Sequence, residues 1–85
     1  MALEIAYFAW VRERMGVAGE AVEVPTDVAD IAALLAWLGA RDERGASAFA
    51  EPHRIRAAID GAMIGPDAPL LRAREVALFP PVTGG

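Results

Sequence analysis

The clearest β-pattern in the chain lies at its beginning, where the apolar residues Leu3, Ile5 and Tyr7 occupy every second position. This alternation predicts a strand with one face in the core. Similar reasoning predicts four more strands, over residues 21–24, 55–59, 62–64 and 76–79. The Asp60-Gly61 pair predicts a two-residue hairpin turn, because both of its positions must accept a positive φ.

The clearest helical pattern is an apolar stripe at i, i+3, i+4 and i+7, which is formed by Ile31, Leu34, Leu35 and Leu38. Such a stripe is typical of a helix packed on a sheet. Thr26 or Asp27 is the expected N-cap, because either side chain can accept a hydrogen bond from a free amide of the first turn. Gly39 is the expected end of the helix.

Two other segments complete the predicted elements. Val11 and Met15 lie four residues apart and predict a short helix, which Gly16 ends in a left-handed conformation. Residues 40–52 mix charged residues, glycine and alanine, and we expect a surface connection there with room for one helical turn around 47–50.

The predicted order is β, β, long helix, β, short β, β, which indicates an α+β domain. A mixed sheet packed on one main helix in this order is the ubiquitin-like β-grasp arrangement. We assign residues 1–79 to this domain and residues 80–85 to an extended, flexible C-terminal tail that carries the Gly-Gly terminus.

The composition removes most of the side chains that catalysis uses. The 85 residues include no cysteine, and His53 is the only histidine. Disulfides, thiolate metal sites and most intrachain triads are therefore excluded. All eight basic residues are arginine, so no lysine is present to form a Schiff base. We expect no metal site and no bound cofactor in this chain.

The formal net charge of −4 argues against a nucleic-acid partner, which would require a basic face. The arginines occur in spaced pairs among acids and alanines, and we interpret them as solvated surface. No stretch is long enough to cross a membrane, and the N-terminus lacks the basic region of a signal peptide. The expected location is the cytoplasm.

The last seven residues, from Phe79 to Gly85, form the most informative segment. Pro80 and Pro81 fix φ and cannot donate to a sheet, so the chain must leave the domain there in an extended form. Six residues span up to roughly 20 Å. Gly84 and Gly85 lack side chains and can enter a slot that excludes other residues. The segment is suited to presenting its terminal carboxylate to an active site on another protein.

The carboxylate of Gly85 is ionised at neutral pH and is a poor electrophile, with a typical pKa of about 3.5. It must be activated before it can accept another group, and adenylation by ATP is the general route. Attack by a sulfur nucleophile would then leave a thiocarboxylate, whereas attack by an amine would leave an amide.

The C-terminal run from Glu75 to Gly85, EVALFPPVTGG, resembles the end of the MoaD family, the small sulfur-carrier subunits of molybdopterin synthase. The opening Tyr7-Phe8-Ala9, followed by Val11-Arg12-Glu13 and Gly16, is similar to that family's first strand and short helix. The resemblance covers essentially the whole chain. Two segments depart from it: Arg72-Ala73-Arg74 occupies a turn that often contains Gly or Asp, and residues 41–51 show no matching feature.

The resemblance implies that an adenylating partner enzyme activates Gly85 with ATP and that a sulfur donor converts it to a thiocarboxylate. The large subunit of molybdopterin synthase would receive the inserted residues, which are Pro80, Pro81, Val82, Thr83 and Gly84. Sulfur would then pass to cyclic pyranopterin monophosphate and build the dithiolene of molybdopterin. The family's assembly is a heterotetramer with its catalytic side chains on the large subunit, so this chain would not be an enzyme on its own.

Several aromatic and apolar residues allow two interpretations. Phe8 and Phe79 fit either partner contacts or the core. Trp10 and Trp37 lie just off the predicted core stripes, and Trp10 fits either an interface anchor or a ring partly buried on its own domain. Met63 is expected in the core.

Three alternatives to the carrier of molybdopterin synthesis stay open. One is a sulfur carrier of the thiamine or tRNA-thiolation type, against which the Phe-Pro-Pro-Val-Thr run argues. Another is a ubiquitin-like modifier that is joined to lysines of target proteins. The third is an interaction module whose tail has no chemical role.

Overall fold

The computed structural model describes residues 2–81. Its sheet contains β1 (Ala2–Tyr7), β2 (Gly19–Glu23), β3 (Arg56–Ile59), β4 (Ala62–Ile64) and β5 (Glu75–Phe79). Its helices are α1 (Ala9–Met15), α2 (Ile31–Arg41) and α3 (Glu43–Ala48), with a short 3₁₀ helix over Pro52–Arg54. The expected α+β order is confirmed, with α3 and the 3₁₀ helix added to it.

The five strands form one mixed sheet in the order β2-β1-β5-β3-β4. The central pair, β1 and β5, is parallel, and the other neighbouring pairs are antiparallel. The buried positions alternate along the strands, as in Leu3, Ile5 and Tyr7 of β1. In the described part of the chain, the helices therefore cover one face of the sheet. The mixed sheet and main helix of the β-grasp arrangement are therefore confirmed.

The core forms where the apolar stripe of α2 meets this inner face. All four stripe residues are at most 3% exposed, and so are Val76 and Leu78 of β5. Val11 and Met15 of α1 are buried with them, and Gly16 ends that helix at φ 78°, as the sequence indicates. The hairpin turn is also confirmed, with φ of 47° at Asp60 and 86° at Gly61.

The predicted start of α2 was wrong. Its N-cap is Asp30, whose Oδ1 accepts a hydrogen bond from the Ala33 amide at 2.8 Å. The amides of Ile31 and Ala32 donate to the carbonyls of Ala68 and Pro66, in a loop distant in sequence. The N-cap lies four residues after Thr26 and three after Asp27 because this loop supplies partners for the first amides of the helix.

The predicted end of α2 at Gly39 was also wrong, because the helix continues to Arg41. It ends where Asp42 becomes extended, with φ −159° and ψ 178°. The Asp42 carboxylate then accepts a hydrogen bond from the Gly45 amide at 2.8 Å and caps α3. One aspartate thus ends one helix and starts the next.

The segment 40–52 is more than a surface connection. It contains α3, and it places Gly45, Ala48 and Phe49 among the buried residues. The Phe49 ring lies 6.4 Å from that of Tyr7, measured between ring centroids. The prediction failed because the buried residues of α3 are the small Gly45 and Ala48, which give only a weak helical pattern in the sequence.

Met63 is not in the core, contrary to prediction, and is 65% exposed. The register of β3 and β4 explains this difference. Ala57 faces inward and pairs with Ile64, whereas Ala58 faces outward and pairs with Met63. A shift of one residue changes the face of the sheet on which a side chain lies.

Tyr7, Glu20 and Arg41 form a network that joins β1, β2 and α2. The Tyr7 hydroxyl donates to Glu20 Oε2 at 2.7 Å, and Arg41 donates to both Glu20 oxygens at 2.7 and 3.0 Å. The hydrogen bond from Arg41, with that from Tyr7, holds the pKa of Glu20 below its usual range. Burial, together with the hydrogen bond to Glu20, raises the pKa of Tyr7.

This network should make stability depend on pH. A carboxyl whose pKa is lowered in the folded state stabilises it above its unfolded pKa of about 4.3 and loses that contribution as the pH falls. We therefore expect the free energy of unfolding to decrease on acidification through this range, and to decrease less in Glu20→Gln. Urea unfolding at stepped pH values measures the difference, with Glu4→Gln as control because Glu4 is exposed. Equal pH profiles for the two variants would contradict it.

Candidate functional site

The candidate site lies at one end of the sheet, where β5 ends and the tail begins. β5 is the central strand, with β1 on one side and β3 on the other. The Phe8 amide donates to the Leu78 carbonyl at 3.0 Å, and Phe79 pairs with Arg56. The chain therefore continues from β5 into Pro80 between the segment that follows β1 and the segment that precedes β3.

Pro80 and Pro81 follow β5 directly, and both are half-buried. Neither has an amide hydrogen, so the ladder of β5 cannot continue through them. The remaining tail residues, Val82, Thr83, Gly84 and Gly85, lie outside the described residues. Their roles, and the division of the chain at 79 and 80, stay predictions.

Phe8 and Phe79 lie on either side of this exit, and neither is a fully buried core residue. Phe8 is 51% exposed at the end of β1. Phe79 is half-buried on the outer face of β5, since its neighbour Leu78 faces the core. Both residues therefore present apolar surface next to Pro80, as a partner contact requires, and that role stays a prediction.

Trp10 is half-buried against the core and lies between two guanidinium groups. The Cζ atom of Arg14 is 4.5 Å from its ring centroid, and that of Arg54 is 5.8 Å away. Sequence reasoning missed both arginines as members of this site. The spacing of Trp10 and Arg14, four residues apart on a helix, could have indicated their contact, but nothing in the sequence connects either with Arg54.

The described residues offer little other chemistry. Among residues 2–81, no group of three potential metal ligands comes together. His53 is exposed in the 3₁₀ helix. Within the same residues, no helix is long and apolar enough to cross a membrane.

A known protein family matches nearly the whole chain. The sequence matches the ThiS family over residues 5–85, which include the Gly-Gly terminus.

This chain belongs to the ThiS family.

Its relatives within the curated proteins include the molybdopterin synthase sulfur carrier subunit of Escherichia coli (strain K12), which is 39% identical over 98% of this chain and 99% of that protein. The subunit of the same name from Haemophilus influenzae is 31% identical over the same shares. The resemblance to this family is thereby confirmed along nearly the whole chain.

Solved structures support the fold of this ThiS-family chain. The crystal structure of SAMP1 from Haloferax volcanii is similar over the full length of both chains, with a TM-score of 0.70 and 25% identity. The strand order and the central position of β5 are thus features of a known fold.

Proposed function

We propose that this chain is the sulfur carrier subunit of molybdopterin synthase and that Gly85 carries the sulfur. The observation that supports the proposal most strongly is the 39% identity to a carrier subunit of that name over 98% of the chain. The position of β5 supports it independently, because the strand that precedes the tail is held between two neighbouring strands and ends at Phe79, directly before Pro80.

The chemistry of the tail consists of an activation and a sulfur transfer. An adenylating enzyme would join the Gly85 carboxylate to the AMP part of ATP and release pyrophosphate. A donor at the oxidation level of sulfide would then displace AMP and leave a thiocarboxylate. Transfer of that sulfur to cyclic pyranopterin monophosphate, with water supplying the replacing oxygen, would return the carboxylate. The chain itself would bind no cofactor, since ATP is used by the partner.

The catalytic side chains would belong to the large subunit, in a heterotetramer of two large and two small subunits. The lack of lysine suits a chain whose terminal carboxyl group is activated by a partner. An activated carboxyl group readily acylates amines, and no side-chain amine of this chain is available to consume it.

An intact-mass measurement tests the first step. The chain is incubated with ATP, an adenylating enzyme and a sulfide source, and the expected mass gain corresponds to one oxygen replaced by sulfur, located at Gly85 by fragmentation. Addition of the large subunit and cyclic pyranopterin monophosphate should reverse the gain and yield molybdopterin.

Two results would contradict the proposal. One is the absence of any gain with an adenylating enzyme that thiolates the Escherichia coli subunit under the same conditions. The other is a thiocarboxylate that the large subunit cannot use, which would favour a carrier for another pathway. Covalent adducts with other proteins on a denaturing gel would instead favour a ubiquitin-like modifier.

A further inference from the structure

Trp10 and Arg54 connect the two sides of the tail exit. Trp10 lies shortly after β1, and Arg54 lies shortly before β3. Because β1 and β3 flank β5, the contact of 5.8 Å between the Arg54 Cζ atom and the Trp10 ring spans the end of the sheet where the tail leaves. Arg14 extends this contact along α1. We call Trp10, Arg14, Arg54 and Arg56 the exit cluster.

The charges of the exit cluster face solvent with little neutralisation. Arg14 and Arg56 donate to the backbone carbonyls of Ser47 and His53, at 3.3 and 3.1 Å, which leaves their positive charge in place. Arg54 pairs with Glu51 at 3.2 Å, but both side chains are more than half exposed, so solvent screens this pair.

Acidic residues occupy the opposite end of the sheet. Glu4 and Glu75 are register partners on β1 and β5, and both are exposed. Asp60 is exposed at the same end, where its carboxylate accepts hydrogen bonds from the Arg74 and Glu75 amides. The exposed Arg74 lies among these carboxylates, whereas Arg14, Arg54 and Arg56 gather at the end where the tail begins, in a chain whose net charge is −4.

We propose that the exit cluster docks the carrier on an acidic surface beside the tail-binding slot of the synthase large subunit. This inference rests on the proposed function. Tryptophan and arginine are the residue types that contribute most to binding at stable interfaces. Opposite charges on the two surfaces would orient the basic end, and with it the tail, towards the slot.

The large subunit is the expected partner because the relatives of this chain are named as subunits of the synthase, which indicates a lasting assembly. Lasting interfaces are larger and more apolar than transient ones, and the half-buried Trp10 supplies apolar surface at this end of the sheet. Arg14 and Arg54 lie close to the Trp10 ring, so the three side chains form one continuous surface.

The test compares the affinity of the full chain for the large subunit with that of the double variant Arg14→Glu/Arg54→Glu. Titration calorimetry at about 50 mM and about 500 mM sodium chloride reports both affinity and salt dependence. We expect the double variant to bind about tenfold or more weakly at low salt, and to lose most of the salt dependence of the original chain.

The matched control is Arg74→Glu, which makes the same charge change at an exposed position near the acidic end. It should bind within about twofold of the original chain. Thermal unfolding verifies that every variant folds. The variant Trp10→Phe keeps an aromatic ring beside the arginines and should retain most of the affinity.

Each outcome has a distinct meaning. Equal affinity of the original chain and the double variant, with sulfur transfer intact, would overturn the exit cluster as a docking surface and leave the proposed function standing. Weakened binding to the adenylating enzyme alone would overturn the choice of partner. Failure of the original chain to bind the large subunit at all would instead contradict the proposed function.

Discussion

Removal of Gly85 is expected to reduce sulfur transfer by at least ~100-fold, because displacing a reacting group by even 1 Å can cost that much. The shortened chain still ends in a glycine carboxylate, but this carboxylate stops about 3.5 Å short of its position in the original chain. A residue added after Gly85 should be equally damaging, since it replaces the carboxylate with an amide. Single-turnover formation of molybdopterin from the thiocarboxylate form measures the loss.

Stability should not change in either variant. β5 ends at Phe79, six residues before the terminus, and the described core lies within residues 3–78. The midpoint of thermal unfolding should therefore stay within about 2 °C. A glycine inserted after Met1 is the matched control for chain length and should transfer sulfur normally. Full activity of the shortened chain would contradict the role of Gly85, and loss of folding would contradict a tail outside the core.

Gly45→Ala is expected to destabilise the domain by about 3 kcal/mol or more. A Cβ atom on Gly45 would overlap the carbonyl oxygen of Leu38 and lie 2.9 Å from the carbonyl carbon. Both are backbone atoms of α2, so a side-chain rotation cannot relieve the overlap. The helices α2 and α3 would have to separate.

Gly39→Ala is the matched control on the neighbouring helix. A Cβ atom there would lie 3.6 Å from Phe49 Cβ, an ordinary contact. Because Gly39 is inside α2, alanine should stabilise the domain by roughly 0.5–1 kcal/mol. Urea unfolding of the two variants measures both effects. A mild effect of Gly45→Ala would show that the close approach of α2 and α3 is not required by the fold.

Gly45 also explains why residues 41–51 could not be matched from the sequence. The segment contains a helix whose capping residue, Asp42, and contact residue, Gly45, are both short. The lack of a side chain at Gly45 lets α3 approach α2 closely enough for Phe49 to reach the core. A pattern of large apolar residues is the usual signal of a buried helix, and this contact depends on the absence of a side chain.

The sequence by itself determined the elements whose patterns are local. Alternation along β1, the stripe of α2 and the Asp60-Gly61 turn each reflect the preferences of neighbouring residues, and all three are confirmed. The order of these elements was sufficient for the α+β class. The Phe-Pro-Pro-Val-Thr-Gly-Gly ending was sufficient to indicate the family, because a short run of consecutive residues can be recognised without knowledge of the fold.

Tertiary structure alone decided which residues from distant parts of the chain meet. The start of α2 depends on carbonyls of Pro66 and Ala68, and the exposure of Met63 depends on its register with Ala58. The exit cluster depends on the placement of β1 and β3 on either side of β5, which brings Trp10 and Arg54 together. Local propensity carries no information on such pairings, because residues that are distant in the sequence interact only once the chain has folded.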